Sequence, residues 1–318
     1  MRFQKLDLNL LVALDALLTE RNVTRASERL HLSQSAVSNA LAKLREHFED
    51  DLLVLVGRRL ELTPRAEALR DSVRDILVRI TAMKVDEPTF DPTQSDREFT
   101  ILVSDYSMTT LIPRAMQIAR SQGISVRFNL LPQIVQPHRA LEKGEADLLI
   151  IPMVYCSVDH PRETIFEEKF VCAAWRDSQI ARAGIDLECY LNASHVVTQS
   201  TDSALLTFEA WFLQRQGVSR RIGVSTYSFA AAPFLVVGTE LIATVHSRLA
   251  ERLQHTLPLA LFPVPLPMPT FEQAMQWHKQ RARDPGLIWV RSVIRQAAAE
   301  IPPFNPPAPA AESTSGQP

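Results

Sequence analysis

The sequence predicts an α/β protein with an N-terminal winged helix-turn-helix, a long linking helix and a C-terminal α/β domain built in two halves. Two short amphipathic helices and a third after a tight turn indicate the first part. An apolar stripe with a spacing of three and four residues indicates the linking helix. From Arg97 onward, strand-like and helix-like segments alternate. With 318 residues, 46% of them hydrophobic, the chain is long enough for two or three cores.

Composition excludes several classes of protein. The formal net charge of -2 means that any binding to nucleic acid depends on local placement of cations. The cysteines, Cys156, Cys172 and Cys189, are far apart and form no CxxC pair, so neither a metal site nor a disulfide framework is expected. Charges interrupt the apolar N-terminus, and no later segment is apolar enough to span a membrane. A soluble protein of the reducing cytoplasm, with no cofactor, is expected.

The first three helices follow from caps and apolar spacing. Asp7 is a suitable N-cap for a first helix that ends near Arg21. Thr24 is the predicted cap of a second helix, which stops at a turn through His31 and Leu32. Ser33 then caps a third helix.

The third helix has two different faces. Its apolar side is predicted to face the core and consists of Val37, Ala40, Leu41, Leu44 and Phe48. Its other side carries Ser35, Ser38, Asn39, Ala42 and Arg45. Small residues with hydrogen-bonding groups suit a recognition helix in a major groove. The same pattern also fits the solvated face of an ordinary helical hairpin, and periodicity does not separate the two.

A wing and a long helix complete the N-terminal part. Two short strands meet at Gly57-Arg58-Arg59, which closes a DNA-binding domain over residues 1–62. Thr63 and Pro64 begin a helix that leads, with a hinge, to residue 95. Its stripe predicts dimerisation, although packing on the chain's own domain is the alternative. The residues assigned to dimerisation are Leu69, Val73, Ile76, Ile80 and Met83.

The remaining chain predicts a two-half domain over residues 96–301. One half consists of 96–165 and 270–301, and the other of 166–269, with a helix expected near Ser228. A proline-rich tail, 302–318, is expected to be disordered. Chain crossings between two such halves leave a cleft at the strand ends, where a ligand can bind.

Residues near those strand ends are the candidate effector site. Aromatic and methionine side chains suit a flat apolar ligand, and hydroxyl groups could hold a polar substituent. For Asp105, simple helix capping is an equally good interpretation. The candidates are Ser104, Asp105, Tyr106, Thr109, Pro152, Met153, His195, Gln199, Ser200, Tyr227, Ser228 and Phe229.

Two other functions are disfavoured. An enzyme would need a catalytic motif, but the chain has no GxSxG, HExxH, P-loop or GxGxxG pattern, and only nine glycines. No catalytic residue is therefore assigned. A free solute-binding protein would need an export signal, whereas this sequence begins with a helix-turn-helix.

The segment HLSQSAVSNALAKLRE and the flanking residues from Asp7 to Pro64 resemble the LysR-type transcriptional regulators. The resemblance continues to Glu300 and implies an effector domain of the type II periplasmic-binding-protein fold. It also implies a homodimer or homotetramer on double-stranded promoter DNA. The DNA contacts that it implies are Thr24, Ser33, Gln34, Ser35, Ser38, Asn39, Lys43, Arg45, Arg58 and Arg59.

Within that family, LTPRAEAL and AMQWHKQRARDPGLIWVR resemble the nodulation regulators called NodD and their aromatic-catabolism neighbours. Many members of the wider family have a Thr-x-Ala-Gly-like turn where this chain has Thr63-Pro64-Arg65-Ala66, in agreement with the NodD-like branch only. The branch implies a small aromatic effector and control of a catabolic or symbiosis operon. Effector binding is expected to change the angle between the halves, relax a DNA bend and favour RNA polymerase, which makes an activator.

Overall fold

A computed structural model describes residues 7–57, 59–83, 90–124, 126–133, 137–199 and 207–302. Within these ranges, the side chains of Arg79 and of residues 81–83 are not part of the description. The chain forms two compact units, one N-terminal and one C-terminal, with the division near residue 88. No helix among the described residues is long and apolar enough to cross a membrane.

Three helices open the N-terminal unit, and their caps explain where each begins. Helix α1 (Leu8–Glu20) starts behind Asp7, which accepts a hydrogen bond from the backbone N–H of Asn9 at 3.0 Å. Helix α3 (Gln34–Phe48) starts behind Ser33, as predicted. The predicted cap of helix α2 (Val23–Leu30) is wrong. Asn22 accepts from the N–H of Arg25 at 3.0 Å, so the helix begins before Thr24, which lies exposed in its first turn.

The core of this unit lies between α1, α3 and the segment that follows. Val37, Leu41 and Leu44 are buried, as the periodicity predicts, and they pack with Leu14 and Leu17 of α1. Burying side chains of this size stabilises the domain by about 1.5–3 kcal/mol each. The packing leaves the opposite face of α3 exposed.

A two-stranded wing follows. Strands β1 (Leu53–Val56) and β2 (Arg59–Leu62) pair antiparallel, with Val56 opposite Arg59. Arg59 is therefore the first residue of β2 rather than part of the loop. Gly57 begins the connection with φ of 66°, a conformation that glycine adopts without strain.

Helix α4 (Pro64–Met83) begins where the sequence predicts. The Thr63 hydroxyl donates to Asp50 at 2.6 Å and accepts from the N–H of Ala66 at 3.1 Å. The hydrogen bond from Thr63 and one from the backbone N–H of Leu52 at 2.7 Å lower the pKa of Asp50, because they stabilise its ionised form. Asp50 thus connects the end of α3 to the start of α4.

The C-terminal unit contains two five-stranded sheets. The first has the order β4-β3-β5-β12-β6, in which β3 is parallel to β4 and β5, and β12 is antiparallel to β5 and β6. Its strands are β3 (Glu98–Val103), β4 (Arg127–Leu131), β5 (Leu148–Pro152), β6 (Arg162–Glu168) and β12 (Phe271–Gln276). Its helices are α5 (Asp105–Thr110), α6 (Ile112–Ser121), α7 (Pro137–Glu142) and α12 (Pro285–Ala299).

The second sheet has the order β11-β7-β10-β8-β9. Strands β8, β9 and β10 are parallel, whereas β7 is antiparallel to β10 and β11. Its strands are β7 (Phe170–Trp175), β8 (Ser194–Thr198), β9 (Arg221–Thr226), β10 (Ile242–His246) and β11 (Leu259–Pro263). Its helices are α8 (Gln179–Ala183), α9 (Leu187–Asn192), α10 (Phe208–Arg215) and α11 (Ser247–Gln254).

The structure differs from the sequence prediction in its antiparallel strands and in one helix. Strands β6, β11 and β12 were not predicted. Charged or polar residues interrupt β6 and β12, and the short apolar run of β11 lies between Pro258 and Pro263. The helix expected near Ser228 is replaced by successive turns over 229–240. Pro233 has no N–H to donate, and the next residue, Phe234, bonds three residues back to Ala231 instead of four. The predicted tail from residue 303 onward lies outside the described residues.

Candidate functional site

The exposed face of α3 forms the first candidate site. Gln34, Ser35, Ser38, Asn39 and Lys43 are all exposed, and they present amide, hydroxyl and ammonium groups on one side. Among the residues that the structure describes, no side chain forms a hydrogen bond with Ser38, Asn39 or Lys43. The Ser33 and Ser35 hydroxyls contact each other at 3.0 Å. This face has the chemistry that base edges and phosphates require.

Arg45 has a different role from the one predicted. Its Nε donates to the carbonyl of Asp51 at 2.7 Å, and its Nη2 donates to the carbonyl of Leu53 at 2.8 Å. Because these donors already hold the base of the wing, we remove Arg45 from the predicted DNA contacts. Arg59 remains exposed at the start of β2, and Arg58 lies outside the described residues.

The stripe of α4 divides into two parts. Val73 is buried and Leu69 partly buried in the core of the N-terminal unit, which is the alternative that the sequence left open. Arg74, one residue on, binds Asp15 at 2.9 Å and attaches α4 to α1. Ile76 is 41% exposed and Ile80 is half-buried, while the Met83 side chain is outside the description. The stripe therefore leaves its later part available to a partner.

The second candidate site is a cavity of about 660 Å³ in the C-terminal unit. It lies at the carboxyl ends of β3, β5, β8, β9 and β10, where parallel strands and helix starts converge. The predicted effector residues that line it are Ser104, Asp105, Tyr106, Pro152, Gln199, Tyr227, Ser228 and Phe229.

Three predicted effector residues do not line the cavity. The Thr109 hydroxyl donates to the carbonyls of Asp105 and Tyr106 within α5. Met153 begins a single 3₁₀ turn that brings Tyr155 to the cavity in its place. His195 is buried in the second half, with Nε2 2.7 Å from the carbonyl oxygen of Tyr190. Burial lowers the pKa of His195 to about 4. Ser200 lies outside the described residues.

Much of the aromatic wall of the cavity was not predicted from the sequence. Phe170, Phe208, His246 and Phe271 all line the cavity. Phe170 begins β7, which was predicted as a strand but not as part of the cavity wall. Phe271 begins β12, which was not predicted. His246 ends a strand whose apolar run was recognised, so its position at a carboxyl end was a signal that could have identified it.

Asp105 connects the two halves of the cavity. It accepts a hydrogen bond from the Ser228 hydroxyl at 2.5 Å and from the N–H of Ala230 at 3.0 Å. Its other oxygen accepts from the N–H of Tyr106 at 2.9 Å. The carboxylate is thus occupied by the protein. Simple helix capping does not describe it, because the N-cap of α5 is Ser104, whose hydroxyl accepts from the N–H of Ser107.

A second buried connection lies where the chain passes from β6 to β7. Glu168 is fully buried, and it accepts hydrogen bonds from the hydroxyls of Tyr106 and Ser247. Arg248 lies 3.4 Å from the same carboxylate. Burial and the neighbouring carboxylate raise the pKa of Tyr106, so its hydroxyl stays protonated and can donate. Tyr106 therefore links the cavity wall to the crossing point of the two sheets.

The cavity carries no free cation along the part of the chain described. Its acidic lining residues, Asp105 and Glu209, are both bound within the protein, Glu209 by Arg220. Burial raises the pKa of Glu209 against the opposing effect of Arg220. None of the described lining residues is a lysine or an arginine. An anionic ligand would find no countercharge in this wall.

Comparison with known proteins decides the family. The profile "Bacterial regulatory helix-turn-helix protein, lysR family" matches residues 8–67, and "LysR substrate binding domain" matches residues 92–299. The chain belongs to the LysR family.

Other LysR-family proteins match nearly the whole chain. Nodulation protein D 1 of Rhizobium leguminosarum bv. phaseoli is 40% identical over 302 residues, 95% of this chain and 96% of that protein. Nodulation protein D of Bradyrhizobium sp. (strain ANU 289) is 39% identical over 317 residues, 99% of this chain and 94% of that protein. The crystal structure of a probable transcriptional regulator of Pseudomonas aeruginosa covers 92% of this chain and 97% of its own, with a TM-score of 0.64 and 30% identity.

The LysR assignment confirms the predicted family and fold class. The chain is a LysR-type transcriptional regulator, with a helix-turn-helix domain followed by a domain of the substrate-binding type. The α3 face and the cavity each lie within one of the two matched regions.

Proposed function

We propose that this LysR-type regulator activates a symbiosis or catabolic operon when an uncharged aromatic compound occupies the cavity. The observation that carries the proposal is a cavity of about 660 Å³ with aromatic walls and no lining cation among the described residues. Volumes of about 300–1,000 Å³ are typical of sites for drug-sized molecules. The relatives named Nodulation protein D support a symbiosis operon.

The proposed mechanism uses the connections between the two halves. Asp105 and Tyr106 both line the cavity. Asp105 accepts a hydrogen bond from Ser228 of the other half, and Tyr106 donates one to Glu168, where the chain crosses between the halves. A ligand that contacts these residues can favour one arrangement of the halves over another. That preference is required, because a ligand with equal affinity for both arrangements shifts no equilibrium.

On DNA, we propose a homodimer or homotetramer in the cytoplasm that contacts promoter DNA through paired α3 faces and acts on RNA polymerase. The later part of the α4 stripe, with Ile76 exposed and Ile80 half-buried, is the proposed dimer contact. Two-fold pairing would place the recognition helices one helical turn of DNA apart. We assign no catalytic activity to the chain.

A thermal-shift screen of the full chain tests the effector class. Flavonoids and chlorophenols in their neutral form should raise the melting temperature, whereas salicylate, an anion, should not. A ligand at about 100 times its dissociation constant stabilises the folded state by about 2.7 kcal/mol. Stabilisation by salicylate alone would overturn the uncharged-ligand proposal. Footprints on promoter DNA must also differ with and without the active compound, and unchanged footprints would refute the coupling.

A further inference from the structure

His246 is a buried polar residue of the cavity wall whose side chain makes no hydrogen bond within the part of the chain that the structure describes. Its side chain is 7% exposed and borders the cavity at the end of β10. Neither ring nitrogen has a hydrogen-bond partner among the residues that the structure describes. The ring stacks on Tyr106, with centroids 4.1 Å apart and planes 19° apart, and Phe229 contacts its edge at 5.0 Å. Phe170 and Phe271 lie at 5.1 Å and 5.8 Å.

Most polar neighbours in the wall already have partners. The Tyr106 hydroxyl donates to Glu168, and the Thr244 hydroxyl lies 2.8 Å from that of Tyr190. The cavity-lining groups bound within the protein are Ser104, Asp105, Tyr106, Glu209, Thr226, Ser228, Thr244 and Gln273. An imidazole with no partner in the protein that borders a cavity can form hydrogen bonds only with what enters that cavity, either water or a ligand.

We propose that His246 recognises a hydroxyl group on the aromatic effector and thereby determines which aromatic compounds the regulator accepts. The inference rests on the proposed function and specifies the chemistry of its ligand. A neutral imidazole has one donor and one acceptor nitrogen, and a hydroxyl group can both accept and donate. The four surrounding rings would hold the aromatic body while the ring nitrogen binds the hydroxyl.

The protonation state of His246 fits this role. Burial among apolar rings lowers the pKa of His246 to about 4, although the carboxylates of Glu168 and Asp105 oppose the shift. The imidazole is therefore neutral at physiological pH and does not attract an anion. A ligand without the hydroxyl would leave the imidazole unpaired, which is how buried polar sites reject apolar analogues.

Binding of 2-naphthol and naphthalene to the full chain tests the proposal. The two probes share a ring system and differ by one hydroxyl group. Titration calorimetry should show tighter binding of 2-naphthol by the wild type, by about tenfold, the equivalent of one good hydrogen bond. His246→Phe keeps an aromatic ring but removes both nitrogens, so the ratio of the two dissociation constants should approach one. His246→Gln keeps a donor and an acceptor and should restore part of the preference for 2-naphthol.

Phe229→Leu is the matched control, because it removes ring contact from the same wall without removing a hydrogen bond. It should weaken both probes by a similar factor and leave their ratio unchanged. Circular dichroism and thermal denaturation of each variant verify that the C-terminal unit is folded. An unchanged ratio in His246→Phe, or equal affinity of the wild type for both probes, would overturn the role of His246 while the aromatic effector stands. Failure of the wild type to bind either probe would instead contradict the aromatic cavity, and the inference with it.

Discussion

The α3 face and the cavity, the two proposed binding sites, present opposite arrangements of polar groups. On α3, the polar side chains come from ten consecutive residues, 34–43, and are exposed. In the cavity, polar groups come from five strand ends, and most are already bound within the protein. A change on the α3 face should therefore alter binding without altering stability. A change in the cavity wall should affect stability and the response to ligand together.

The largest effect is expected at Glu168, where the cavity wall also supports the fold. Glu168→Ala removes the acceptor of the Tyr106 and Ser247 hydroxyls and leaves Arg248 buried without its carboxylate. Breaking such a buried pair costs about 3–5 kcal/mol. Chemical denaturation should show that loss in the transition of the C-terminal unit.

The control is Glu163→Gln, which removes an ion pair with Arg295 at 2.6 Å on a more exposed surface. Its cost should stay below about 1 kcal/mol, because solvent screens exposed pairs. Equal losses for the two variants would mean that Glu168 is not a structural connection.

Asn39 tests whether the exposed polar side chains of α3 contribute to DNA binding and not to stability. Asn39→Ala should weaken binding to the target promoter by about 1–3 kcal/mol, the value of a good base contact, with unchanged stability. Lys43→Ala should weaken binding to target and random DNA alike. It should also reduce the slope of log affinity against log salt concentration by about 1, the value of one phosphate contact. Gel shifts at two salt concentrations measure both. Identical behaviour of the two variants would contradict the division into base and phosphate contacts.

Arg45 combines features of both sites. It belongs to α3, like the proposed DNA contacts, but its side chain is hydrogen-bonded within the protein, like most polar groups of the cavity. Arg45→Met keeps the aliphatic length and removes the donors to the Asp51 and Leu53 carbonyls. Two lost hydrogen bonds should destabilise the N-terminal unit by about 1–3 kcal/mol. Circular dichroism during denaturation measures this loss. Normal stability together with lost DNA binding would return Arg45 to the list of direct contacts.

The smallest effect is the pH dependence of the two buried histidines. The pKa of His195 and that of His246 are both about 4 in the folded chain, and both return to about 6.5 on unfolding. Because the unfolded chain binds these protons first, stability should fall as the pH drops from about 6.5 towards 4. At pH 5.5 each histidine should contribute a loss of about 1.4 kcal/mol.

Denaturation of His246→Phe between pH 7.5 and 5 measures the contribution of one of these histidines. Arg220 lowers the pKa of His195, whereas Glu168 and Asp105 raise the pKa of His246. The wild type and the His246→Phe variant both contain these three charged residues, so the two proteins differ only in the imidazole. The slope of stability against pH should decrease in the variant. An unchanged slope would mean that His246 is already solvated in the folded state.

The N-terminal unit was the more predictable of the two units, for a physical reason. Caps such as Ser33 act within four residues, and the burial of Val37, Leu41 and Leu44 follows from helix geometry alone. The cap of α2 was missed because Asn22 and Thr24 are both good caps, and only the backbone geometry chose between them. Arg45 was assigned to DNA because its partners, the carbonyls of Asp51 and Leu53, have no signature in sequence.

By itself, the sequence determined the helix-turn-helix, the family and the succession of strands and helices along the first half of the C-terminal domain, because each depends on short-range periodicity or on a contiguous motif. Only the tertiary structure decided that Val73 packs inward, that His195 lies away from the cavity and that Phe170, His246 and Phe271 share one wall. Those residues come from segments up to about 100 positions apart. Which of them meet depends on how β7 pairs with β10 and β11 in one sheet and how β12 pairs with β5 and β6 in the other. Strand pairing is a long-range contact that local patterns do not encode.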